Sequence, residues 1–218
     1  MNLRQCPAFR QPCQPVSRNR RQKAPLECVL DITDLSHDGR GVARHEGKAV
    51  FVTGALPGEQ VRAQVRSSRK QFDEGTVLEV LSPSPDRVVP KCAHFGLCGG
   101  CALQHLAPQA QIAAKQHTLA ENFERIGQVR PERWLEPLAG EPWGYRRKAR
   151  LGVKFVPKKG KVLVGFREAA DPRFIADVSR CEVLVEQVGG RIAAIAELVD
   201  ALEARAQIPQ IEVAAGDD

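Results

Sequence analysis

Three cysteines fall within ten residues, as Cys92-x5-Cys98-Gly99-Gly100-Cys101, and a single Cys181 follows far downstream. Thiolates this dense, with paired glycines between two of them, suit a bound metal or cluster better than a hydrophobic core. Glycine lets backbone approach inorganic atoms closely and aim N–H groups at them. A lone cysteine reads as a small buried hydrophobe; three at this spacing do not. Disulfides fit poorly. The chain has seven cysteines, an odd number, and its first 25 residues are polar and basic with no apolar signal stretch, which argues against export to an oxidising compartment. Structural zinc sites usually combine two C-x2–4-C pairs, whereas this pattern is three plus one with a five-residue first gap. That is nearer the C-x4-C-x2-C spacing of plant-type iron–sulfur proteins. Spacing alone favours iron–sulfur and leaves zinc open. His94 and His105 lie close enough to serve zinc, but a histidine beside such a motif more often lies on the surface or hydrogen-bonds a ligand than binds the metal itself.

With 218 residues, the chain is long enough for two modest domains. No apolar run reaches membrane length. The formal charge of +6 is unevenly placed. Residues 1–25 hold six basic side chains and no acid. Removing those six from the 32 Lys and Arg leaves 26, which match the 26 Asp and Glu. Residues 1–25 therefore read as a disordered basic tail, with Cys6 and Cys13 as free thiols. A nucleic-acid argument must rest on a patterned basic face in the remainder.

Residues 26–82 alternate short β-rich runs with glycine turns: Leu26–Thr33, a run from Gly39 to Arg44, Lys48–Thr53, Val61–Arg66 and Gly75–Leu81. Turns are expected at His45-Glu46-Gly47 and Leu56-Pro57-Gly58-Glu59. Five short strands in under 60 residues predict a small OB-like barrel. The stretches Asp38-Gly39-Arg40-Gly41-Val42-Ala43, Gly47-Lys48-Ala49-Val50-Phe51-Val52 and Gly54-Ala55-Leu56-Pro57-Gly58-Glu59 resemble a TRAM domain, a small RNA-binding barrel attached to RNA-modifying enzymes. A Pro/Ser linker, Pro83–Pro90, leads to the cysteine motif, which continues as Ala102-Leu103-Gln104-His105. Barrel, cysteine motif and the later Tyr145-Arg-Arg-Lys-Ala-Arg150 run, in this order, resemble the bacterial 23S rRNA (uracil-5-)-methyltransferases over residues 26–218. The resemblance implies a [4Fe-4S] cluster held by Cys92, Cys98, Cys101 and Cys181. It also implies methyl transfer from S-adenosylmethionine to uracil in 23S rRNA, in the cytoplasm and as a monomer.

The fold expected is α+β: a tail (1–25), a five-stranded TRAM barrel (26–82) and an iron–sulfur-bearing central domain (83–218). Pro108 suits a helix start, Ile112, Leu119, Phe123 and Ile126 mark a core-facing stripe, and Gly127 can end the helix. Residues 145–156 read as a strand. Arg146, Lys148, Arg150 and Lys154 share one face without an acid, and Ala149, Leu151, Val153 and Phe155 share the other. With the resemblance, the cationic face is the candidate RNA contact through phosphates. Arg40, Arg44, Arg62, Arg66, Arg69 and Lys70 are weaker candidates, and core packing is the expected role of Phe72, Phe95 and Tyr145. Pro157–Gly160 turns into Lys161–Arg167, Phe174–Val178 is expected as a third strand, a helix as 184–205, and another strand as Ile208–Ala215.

Catalytic groups are not expected in this chain. Attack on a uracil ring needs a free thiolate and a base, and a methyl donor needs a Gly-rich turn after a strand; neither pattern occurs. The donor-binding domain of the resembled family would follow residue 218. The competing readings are a stand-alone RNA-binding module with a zinc or cluster site, and an enzyme acting on transfer RNA uracil.

Overall fold

The computed structural model describes residues 26–216; the basic tail, with Cys6 and Cys13, lies outside them. The first sheet has six strands rather than the five expected: β1 Leu26–Asp31, β2 Asp34–Leu35, β3 Gly41–His45, β4 Lys48–Thr53, β5 Gln60–Ser68 and β6 Phe72–Ser82. Their order is β1-β5-β6-β4-β3-β2. The extra strand is the two-residue β2, paired antiparallel with β3 and too short to show as a period in sequence. β4 and β6 run parallel; the other pairings are antiparallel. Register shifts along β5 and β6 are the bulges that allow long strands to curl.

Alternation sets which face is buried. Val61, Ala63 and Val65 of β5 point inward with Leu30, Ile32, Ala43, Val50 and Val52, while Arg62 and Arg66 stay outside. The β3–β4 hairpin turns on Glu46 (φ 49°) and Gly47 (φ 79°). Two successive positive φ values match the twist of the flanking strands.

The expected linker is not a free connection. Ser84 is buried. Val88 N–H donates to the His105 carbonyl (2.9 Å) and Ala107 N–H to Asp86 (2.9 Å). Arg87 reaches back to Glu59, a carboxylate with no exposed surface, and to the Gly54 carbonyl at 2.7 Å. Residues 84–88 therefore staple the cysteine segment to the first sheet. Nothing in the sequence marks Glu59 as buried, because its partner lies 28 residues away.

Helix α1, Pro108–Arg125, starts at its proline as expected, but none of its residues is buried. The apolar stripe is not core: Leu119 is 47% exposed, and Phe123 and Ile126 are exposed as well. The periodicity correctly gives an amphipathic helix; what would cover its apolar face does not lie in residues 26–216. An irregular, largely exposed stretch follows, from 126 to 145.

The second sheet has order β8-β7-β9: β7 Lys148–Val156, β8 Lys161–Gly165 and β9 Gln210–Ala214. Its third strand is β9. Phe174–Val178, expected there, is irregular, although Ile175, Ala176 and Val178 are buried. Ala176 N–H makes a bond to Phe166 at 2.9 Å, and one bridge joins Ile175 to Arg167. The single helix expected over 184–205 is broken into α2 Glu186–Gly189, α3 Ile192–Asp200 and a 3-10 turn, Glu203–Ala206. Along these pieces Ile192 and Val199 are buried and Val188 and Ile195 pack against them, but Leu202 is exposed. α3 lies on β8, and Leu151, Val153, Val164, Leu184 and Ile192 form the second core.

Candidate metal centre and basic strand

Cys92 and Cys98 sit on tight turns. Phe95 N–H donates to the Cys92 carbonyl (3.1 Å), and Cys98 N–H to His94 (2.9 Å). The segment just after β8 then clamps the loop, through Gly99 N–H to the Arg167 carbonyl (2.8 Å) and Ala169 N–H to the Leu97 carbonyl (2.8 Å). A Cβ on Gly99 would lie 2.9 Å from the Arg167 carbonyl, so this position needs glycine for the approach. Gly100 N–H points at the Cys98 sulfur, 3.4 Å away. Gln104 accepts from Cys92 N–H (3.2 Å) and hydrogen-bonds Cys101.

Cys181 arrives from the other side. Its N–H donates to the Gly189 carbonyl (3.0 Å), and a Cβ on Gly189 would stand 2.3 Å from the Cys181 carbonyl. The glycine that breaks the expected helix thus seats Cys181. His94 joins the two segments, since its Nε2 accepts from Ser179 N–H at 3.2 Å. His105 differs: it is 3% exposed, its ring packs 5.2 Å from that of Phe95, and neither ring nitrogen has a protein partner.

All four cysteines named from sequence are free thiols in one neighbourhood. Burial pushes the Cys98 thiol up; the Gly100 N–H opposes this, and Cys101, Cys181 and Cys92 add to the rise. Burial likewise raises Cys101. Gln104 and Arg146 counter it, while Cys181 and Cys92 reinforce it. A bound cation would displace the protons of such thiols. The sulfurs are nevertheless not a tight group. Among the described residues, the three-ligand set whose atoms all lie within 4.8 Å is Asp34, His117 and Glu121. Those side chains are partly to fully exposed, and Glu121 is already held by Arg125 at 2.6 Å.

The four basic residues of 146–154 do not act as one face. Arg146 is half-buried, 5.9 Å over the Phe166 ring, and its charge acts on Cys101. Arg150 is paired with Glu212 of β9 at 2.7 Å, the acid that the strand itself lacks. Lys148 and Lys154 are exposed. On the first sheet, Arg40 binds Asp38 and Glu74, Arg62 binds Glu79, Arg69 approaches Glu74 and Arg44 donates to Gly47. Phe72 is only half-buried, edge-on against Phe51 with Arg69 over its ring, rather than in the core expected of it, and Tyr145 is 54% exposed.

Residues 29–78 match the TRAM domain. The chain is 59% identical over 189 residues to the 23S rRNA (uracil(1939)-C(5))-methyltransferase RlmD of Xylella fastidiosa, covering 85% of this chain and 42% of that protein. It is 53% identical over 201 residues to the enzyme of the same name from Alkalilimnicola ehrlichii, covering 92% and 44%. The chain therefore spans less than half the length of the curated relatives it matches. A crystal structure of Pyrococcus abyssi tRNA (uracil-54, C5)-methyltransferase with S-adenosyl-L-homocysteine superposes with a TM-score of 0.52 at 24% identity, covering 79% of this chain and 36% of that one. That likeness concerns the fold. No helix among the described residues is long and apolar enough to cross a membrane.

Proposed function

We propose that this chain is the RNA-binding, cluster-holding front part of an S-adenosylmethionine-dependent methyltransferase that forms 5-methyluridine in 23S rRNA. The carrying observation is the meeting of Cys92, Cys98 and Cys101 with Cys181, two segments about 80 residues apart joined through His94–Ser179 and seated by Gly99 and Gly189. The three-plus-one spacing, nearer to plant-type iron–sulfur patterns than to the paired C-x2–4-C of structural zinc, supports a [4Fe-4S] unit, in which each thiolate binds a separate iron. Cys92, Cys98, Cys101 and Cys181 would hold the cluster, with Gly100 N–H directed at the Cys98 sulfur. The cluster supplies a cross-link here; no redox step is needed.

Lys148 and Lys154 are the RNA contacts this geometry favours, with Arg150 partly neutralised and Arg146 turned to the cysteines. Cys28 is half-buried in β1, and burial and the Asp73 charge push its thiol up, which lowers its thiolate fraction. Uracil attack and donor binding belong to the region by which the relatives exceed this chain. The test is binding to a 23S rRNA fragment across salt. Lys148→Glu with Lys154→Glu should flatten the log-affinity against log-salt slope by about 0.7 per lost contact to a single strand, and the chain alone should transfer no labelled methyl group. An unchanged slope in the folded double variant would remove the basic strand from the interface. Methylation by the chain alone would remove the assignment of chemistry elsewhere.

A further inference from the structure

The exposed face of α1 and the irregular stretch after it pose a separate physical question. An 18-residue helix without a buried side chain gains little of the tertiary packing that normally stabilises helices. Leu119 and Phe123 face outward, and Leu135 beyond them is 71% exposed. Trp134 leans on Phe123, with ring centroids 6.1 Å apart. Leu119, Trp134 and Leu135, together with Cys101 and Leu103, line a groove of about 820 Å³. Contiguous apolar surface of this kind marks a place where another surface belongs.

We propose that this groove is the docking surface for the polypeptide region by which the matched relatives exceed this chain, and that the region meets it with an apolar, uncharged patch. The inference rests on the functional reading above. Length supports it: the chain covers 44% of a relative while 201 of its own 218 residues are aligned. A match that long necessarily includes residues 108–145, so the relative has residues aligned with this face together with more than half a chain that aligns with nothing here. Charge supports it too. Lys115 and Glu141 are the charged residues lining the groove, and they cancel, whereas an RNA site would need a surplus of cations. The groove touches Cys101 and Gly100, so the docked region would also cover one side of the cysteine site.

Hydrogen exchange on two intact proteins tests this: the 218-residue chain and the full-length Xylella fastidiosa relative. Amides matching 112–138 should exchange at least about tenfold more slowly in the relative than in this chain. In this chain they should stay fast at every protein concentration and with a 23S rRNA fragment present. Leu119→Asp with Leu135→Asp should leave the urea midpoint of this chain unchanged, because both side chains already face solvent. Fast exchange in the full-length relative would overturn the proposal. Protection that grows with the concentration of this chain would give the groove to a second copy, and protection on adding RNA would give it to RNA; either result overturns the proposed occupant. A collapsed midpoint in the double variant would show that the face is already packed within this chain. Uracil methylation, read on the same preparation of the relative, separates the two claims. A protected face without methylation sinks the functional reading and leaves the docking intact. Methylation with an unprotected face sinks the docking alone.

Discussion

Replacing Glu59 by Gln tests how the cysteine segment is fastened to the first sheet. The Glu59 carboxylate has no exposed surface and accepts four hydrogen bonds. One oxygen takes Leu56 N–H (2.8 Å) and Arg87 Nη2 (2.8 Å). The other takes Ser84 N–H (3.2 Å) and Arg87 Nε (2.5 Å). A glutamine of nearly the same shape must present its NH2 to one of those donor pairs, whichever way it turns. The Arg87 guanidinium then lies half-buried without its counter-charge. Removing one partner from a buried ion pair destabilises by about 3–5 kcal/mol. With a urea slope near 2 kcal/mol/M, the unfolding midpoint followed by circular dichroism at pH 7 should fall by roughly 2 M. Tryptic cleavage after Arg87 should accelerate. Glu59→Leu with Arg87→Met removes both charges and should recover at least half of the loss, because an apolar pair of similar volume leaves no buried charge. Burial tends to raise the Glu59 carboxyl, but Arg87 and the Leu56 and Ser84 N–H groups outweigh it and hold the group below its usual range. Its stabilisation is therefore present above the unfolded value near 4.5 and is lost as pH falls below that. A loss under about 1 kcal/mol for Glu59→Gln, as for a surface pair, would refute this account of the staple.

Two further outcomes are expected. Gly189→Ala should destabilise by about 1–3 kcal/mol and lower metal retention, because the new Cβ meets the Cys181 carbonyl at 2.3 Å; urea titration with metal analysis checks both, and a neutral substitution would show that Cys181 is seated otherwise. Burial, aided by the Arg87 charge, lowers His105 to about 4, so the unfolded chain binds this proton more readily below about pH 6.5, and folding should lose about 2 kcal/mol between pH 7 and pH 5 that His105→Phe does not lose; parallel acid-limb curves for the two proteins would contradict it.

What was legible in the sequence was local. The turn glycines, the alternation of Val61, Ala63 and Val65, the proline start of α1 and the crowding of Cys92, Cys98 and Cys101 each express themselves within a few residues. What was missed depends on distant partners. Glu59 looks like a turn residue because Arg87 is remote. Arg150 looks unpaired because Glu212 lies on a strand 62 residues on. Arg146 follows the alternation of its strand yet sits before β7 begins, bridged to Leu184. Gly189 hides in a helical pattern, where the Gly189-Gly190 pair is the one local signal of a break. The stripe on α1 identified an amphipathic helix correctly and could not say that its cover is missing from residues 26–216. Phe174–Val178 has the apolar content of a strand but lacks a neighbour to pair along its length.

The central claim is that four cysteines from two distant segments hold one iron–sulfur cluster, and the most direct measurement is the metal and sulfide content of the anaerobically purified chain. A [4Fe-4S] centre predicts about four iron and four acid-labile sulfide per chain, a brown colour with broad absorption near ~400 nm, and loss of all three with Cys181→Ser. One zinc per chain without sulfide, or iron retained undiminished in Cys181→Ser, would contradict it.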